Sequence, residues 1–85
     1  MQIGERKKLN KNWQAIAEVN TGDGFLIQNV SEVMVNFVVT GSEPLSDNIG
    51  GILLPYQQMQ FKKVGGDLYM KSASANGEIN IERSE

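Results

Sequence analysis

An 85-residue chain with a net charge of −2 makes one small domain, and this one holds neither histidine nor cysteine. The double absence excludes the usual proton shuttle, the thiol nucleophile, disulfide staples and nearly every transition-metal ligand, so neither an enzyme nor a cofactor is expected. Only 21% of residues are charged against 40% hydrophobic. A domain of this size buries only roughly 60–65% of its unfolded surface, so self-association is the expected source of further stability.

The opening Met1-Gln2-Ile3-Gly4-Glu5-Arg6-Lys7-Lys8 has no apolar run and no small-residue cleavage site, which reads as no secretory signal and synthesis in a cytoplasm. Residues 1–12 read as a basic, polar N-terminal arm or an early edge segment: Arg6, Lys7, Lys8 and Lys11 oppose only Glu5, a local balance of +3. Residues 13–85 read as a single β-sandwich domain. There Lys62, Lys63, Lys71 and Arg83 face nine acidic groups, a balance of −5. A basic arm therefore sits on an acidic body.

Next in order, Trp13, Ala15, Ala17 and Val19 fit one face of a strand, with Trp13 in the core; Leu9, Trp13, Ile16 and Ala17 fit a short helical stripe instead. The strand is preferred, because Thr21-Gly22-Asp23-Gly24 supplies turn chemistry ahead of the apolar Phe25-Leu26-Ile27. The strongest strand covers 33–40. Val33, Val35, Phe37 and Val39 share one face, Met34 and Val38 the other, so both faces are expected to be covered, one by the core and one by a second layer or another subunit. The run is too short to cross a bilayer.

Residues 41–50 form the longest loop. Gly50-Gly51 opens Ile52-Leu53-Leu54, which Pro55 ends or places at a sheet edge. Met59 and Phe61 alternate with Gln58, Gln60 and Lys62 in a half-buried strand, and Gly65-Gly66-Asp67 turns the chain into Leu68-Tyr69-Met70-Lys71. Asn76-Gly77 is a hairpin signal leading to a last strand with Ile79 and Ile81 inward and Glu78, Asn80 and Glu82 outward. Turns recur about every 8–12 residues, which predicts an all-β fold. The expected form is a small antiparallel β-sandwich or jelly-roll-like barrel of about seven short strands.

Candidate chemistry is thin. The carboxylates sit singly, at turns or outward positions, and not as a converging acid–base pair. A Ser-Lys dyad fails because Lys71 and Ser72 are strand neighbours pointing to opposite faces. Asp23, Asp47, Asn48 and Asp67 match no calcium-loop spacing and read as turn formers, so no metal site is assigned. Asn29-Val30-Ser31 has the form of a glycosylation sequon but reads as a strand end followed by a turn. The cluster Arg6, Lys7, Lys8 and Lys11 reads as a solvated arm or as a docking element for an acidic protein surface; four cations without interleaved aromatics make a weak nucleic-acid site. Tyr56 and Tyr69 read as core or interface packing, with a ligand platform as the functional alternative.

The segments Gly50-Gly51-Ile52-Leu53-Leu54-Pro55-Tyr56, Gly65-Gly66-Asp67-Leu68-Tyr69-Met70-Lys71-Ser72 and Gly77-Glu78-Ile79-Asn80-Ile81, preceded by Trp13 and the valine-rich run 33–39, resemble the pattern of short structural proteins of tailed bacteriophages. The resemblance spans about 13–82 and consists of fold punctuation. It implies a virion protein of the head-decoration, fibre or tail-associated kind, a homo-oligomer with a trimer favoured, docked on other virion proteins. No catalytic or ligand residue carries over. The expected function is thus non-enzymatic assembly in a virion. A carbohydrate- or receptor-binding module using Tyr56 and Tyr69 on a cell-surface glycan is the alternative, and a nucleic-acid accessory role through the arm is third.

Overall fold

In the computed structural model, which describes residues 4–42, 44, 50–63 and 65–84, the alternating runs become eight strands. They are β1 (Glu5–Leu9), β2 (Gln14–Ala15), β3 (Gly24–Asn29), β4 (Val35–Thr40), β5 (Gly51–Leu53), β6 (Gln58–Lys62), β7 (Asp67–Ser72) and β8 (Gly77–Arg83), with one 3-10 turn at Ala17–Val19. Two four-stranded antiparallel sheets result: sheet I in the order β1-β8-β3-β6 and sheet II in the order β2-β7-β4-β5. The sandwich expected from the sequence is present.

Its winding is a jelly roll. The pairs β1/β8, β2/β7, β3/β6 and β4/β5 form one long antiparallel ribbon, with Glu5 opposite Ile81, Gln14 opposite Met70, Gly24 opposite Lys62 and Val35 opposite Leu53. The register hardly drifts between the open end and the β4–β5 turn. Folding the ribbon over itself then pairs β8 with β3 and β7 with β4, which closes the two sheets.

The inner faces follow the period of two. Ile79 and Ile81 of β8, Phe25 and Ile27 of β3, Phe61 of β6, Leu68 and Met70 of β7, Val35 of β4 and Leu53 of β5 are all buried in one cluster. Fully burying an aliphatic side chain of this size contributes about 1.5–3 kcal/mol. Ile16 and Val19 join the cluster from the 3-10 turn. Ile16 N–H also donates to Leu68 O, and Asn20 Oδ1 accepts from Leu68 N–H, so a side chain continues the β2 ladder after that strand has ended.

Asn29 joins the sheets. Its side chain is fully buried at the end of β3. Nδ2 donates to Leu53 O of sheet II at 3.1 Å and to Val33 O at 2.8 Å, while Oδ1 accepts from Ser31 N–H and Oγ–H. Every polar valence is used, as burial demands. The sequon is thus a structural keystone, inaccessible to a glycosyl transferase in the folded protein.

Of the two readings of residues 1–12, the edge segment holds: Glu5 to Leu9 form a full edge strand paired with β8, because Leu9 enters the core and carries its neighbours into register. Three other sequence expectations change. Asn76-Gly77 makes no hairpin: β7 and β8 lie in different sheets, and Gly77 opens β8 without a positive φ. What Gly77 supplies is space, since a Cβ there would come within 2.2 Å of Ser72 Cβ where the chain crosses between sheets. Near the start, the preferred strand is only Gln14–Ala15 and gives way to the short helical turn, a 3-10 turn at Ala17–Val19. Val19 is buried as expected, Ile16 fills the core where Ala15 and Ala17 are exposed, and Trp13 is buried outside the main cluster. On β4, Val35 is buried but Val39 is 49% exposed, and among the described residues no second layer covers the outer face. Residues 43 and 45–49, with most of the expected loop and with Asp47 and Asn48, lie outside the described residues.

Candidate functional site: the outer faces and the turn between them

Alternation that sends apolar side chains inward leaves two outer faces of different chemistry. On sheet II the outward positions are Ile52 on β5, Asn36 and Val38 on β4, Tyr69 and Lys71 on β7, and Ala15 on β2. Lys71 Nζ lies 4.6 Å from the centre of the Trp13 ring, a cation–π contact that roofs the tryptophan. Ile52 and, just beyond β5, Leu54 are each 49% exposed on the edge of this sheet.

On sheet I the outward positions are almost entirely polar. Arg6, Asn80, Gln28 and Gln58 stand in one row across all four strands, and Glu82, Leu26 and Gln60 form the next. Lys8 stands opposite Glu78 beside them, and Arg6 Nη1 reaches Glu78 Oε1 at 3.7 Å. The sequence shows Gln58, Gln60 and Asn80 as outward residues. Their alignment across four strands depends on register, which a single sequence does not reveal.

Between the sheets, the turn from β5 to β6 carries strain. Gln57 N–H donates to Leu54 O at 3.0 Å, with Pro55 second and Tyr56 third, the pattern of a type II turn. The third position needs positive φ and favours Gly or Asn; here Tyr56 adopts φ +65 and is 58% exposed. Its backbone is clamped: Tyr56 N–H donates to Asn29 O, and Gln28 Nε2 donates to Tyr56 O at 3.0 Å. The strained residue is thereby tied to the amide row.

The four basic residues do not converge. Arg6 and Lys8 lie on the outer face of sheet I. Lys7 points the other way and bonds Glu18 Oε2 at 3.2 Å, closing the seam between β1 and the 3-10 turn, and Lys11 is exposed in the β1–β2 connection. Nor do the two tyrosines share a platform. Tyr69 lies on the outer face of sheet II opposite Val38, whereas Tyr56 sits past the far end of β5 against sheet I.

Among the described residues no group of three or more Asp and Glu is placed to hold a metal ion. Asp23 is occupied by Arg83 at 2.8 Å and Asp67 by Lys63 at 2.8 Å. Among the described residues, one open depression of about 470 Å³ is lined by Gly24, Phe25, Gln60, Phe61, Lys62 and Ser84, and another of about 260 Å³ lies beside Lys8, Asn76 and Glu78. Comparison with protein-family models, with curated proteins and with solved structures finds no match.

Proposed function

We propose that this protein is a non-enzymatic structural component of a tailed-phage virion, of the decoration, fibre or tail-associated kind, that self-associates and docks on a larger assembly. The observation that carries the reading is the edge of sheet II. An exposed edge strand invites pairing with another chain, and proteins blunt such edges with charge. β1 does so with Glu5, Arg6, Lys7 and Lys8, and β6 with Lys62 after the exposed Gln58 and Gln60. From Gly50 to Pro55 there is no charge, and Ile52 and Leu54 remain half exposed. A second copy is the partner that covers them, and a closed ring of copies, the trimer, leaves no such edge unused.

Support of a weaker kind comes from the resemblance to phage structural proteins and from the jelly-roll winding, which recurs in viral capsid and lectin domains. The latter is an analogy of fold and not of site. Arg6, Lys8 and Lys11 are exposed cations for docking on an acidic neighbour, while Lys7 is committed to Glu18. A glycan module built on Tyr56 and Tyr69 together has less support, because the two belong to different faces.

The test is light scattering after size exclusion. A defined oligomer at micromolar concentration, broken to monomer by Ile52→Lys with Leu54→Lys, is expected. A monomeric parent, or an oligomer indifferent to both changes, overturns the reading.

A further inference from the structure

We infer that the outer face of sheet I, with Tyr56 at its rim, binds a neutral, linear polysaccharide. This surface is separate from the Ile52–Leu54 edge and stands or falls apart from self-association. Three observations meet there. The first is composition. Asn80, Gln28 and Gln58 occupy consecutive strands of one row, with Gln60 beside them on the next. An amide offers two donors and an acceptor with two lone pairs in one plane, which matches hydroxyl groups that both donate and accept. The charges around the row are mixed, Arg6 and Lys8 beside Glu78 and Glu82, with Arg6 paired to Glu78. Such a face attracts neither a polyanion nor a polycation.

The second is clearance. Gly4 lies under the side chain of Asn80, and a Cβ at that position would come within 2.4 Å of Asn80 Oδ1. The amide has room there because the neighbouring residue has no side chain. The third is Tyr56. A large aromatic residue at a turn position that Gly or Asn fills at lower cost is strain retained, and retained strain marks functional positions. Gln28, a member of the row, holds the backbone of that residue through Tyr56 O. Strand spacing of about 4.8 Å approximates the length of one pyranose unit in an extended chain. A glycan lying across the strands therefore meets an amide at each ring, with the tyrosine ring available to stack on the apolar face of a terminal sugar.

The experiment is calorimetric titration of the full chain with linear hexasaccharides of glucose, N-acetylglucosamine and mannose, and with a heparin hexasaccharide as the acidic counterpart. Binding of at least one neutral hexasaccharide and no preference for the acidic one is expected. Tyr56→Asn should weaken that binding about tenfold, the equivalent of one stacked ring, while raising the unfolding temperature by a few degrees as the turn relaxes. Tyr56→Phe should bind as the parent does, and Asn80→Ala should weaken binding several-fold at unchanged unfolding temperature. No binding of any neutral hexasaccharide at millimolar concentration, preference for the acidic one, or Tyr56→Asn and Asn80→Ala both binding like the parent overturns the inference.

Discussion

The two sheets have the same number of strands and equally apolar inner faces, yet their outer faces diverge. Sheet I shows amides and mixed charge from Arg6 to Gln58. Sheet II shows Val38, Tyr69 and a lysine-roofed tryptophan, and ends on bare Ile52 and Leu54. Inner faces are constrained by packing and look alike wherever a sandwich forms. Outer faces carry no such constraint and are free to differ. In the two proposals made above, one face meets hydroxyls and the other is covered by a second copy.

The comparison requires the sheets to act as one body, and the largest expected effect tests that. Asn29→Ala removes four side-chain hydrogen bonds, among them the buried one to Leu53 O that ties the two sheets. We expect a loss of at least about 3 kcal/mol in urea unfolding, and a loss below about 1 kcal/mol would mean that the keystone is dispensable.

The same charge placed on each face gives a sharper contrast. Ile52→Lys should weaken self-association by about 10- to 100-fold, in line with an interfacial side chain contributing 1–3 kcal/mol. Gln60→Lys on sheet I should leave both oligomer and stability unchanged, within about 0.5 kcal/mol. Equal effects from the two lysines, read by sedimentation equilibrium, would erase the distinction between the faces.

Lys71→Ala uncovers Trp13 and should cost about 0.5–1 kcal/mol, with a red shift in tryptophan emission as water reaches the ring. Smallest of all is Gln14→Leu. Gln14 Oε1 is buried with no hydrogen-bond partner among the described residues, so an apolar replacement of similar size should be neutral or stabilising by up to about 1 kcal/mol. A clear destabilisation in thermal melts would show that the amide has a role in the β1–β2 seam.

The legibility of the molecule follows from the range of the forces concerned. Alternation at Met59 and Phe61, and at Ile79 and Ile81, assigned the inward residues correctly, because side-chain direction in a strand is a local property. The turns at Gly22 and Gly65 were legible for the same reason, both having positive φ. Asn76-Gly77 misled, since a turn signal says nothing about whether its flanking strands pair. The amide row and the separation of Tyr56 from Tyr69 were invisible, because both are facts of register and sheet membership.

By itself, then, the sequence determined that this chain makes short strands, which side of each is apolar, and that histidine and cysteine chemistry has no place in it. Tertiary structure alone decided which strands became neighbours, that the basic segment pairs with β8, and that Asn29 joins two sheets. The reason is physical. Periodicity is set by the geometry of one strand, whereas neighbours are chosen by a ribbon closing on itself over distances that no local pattern spans.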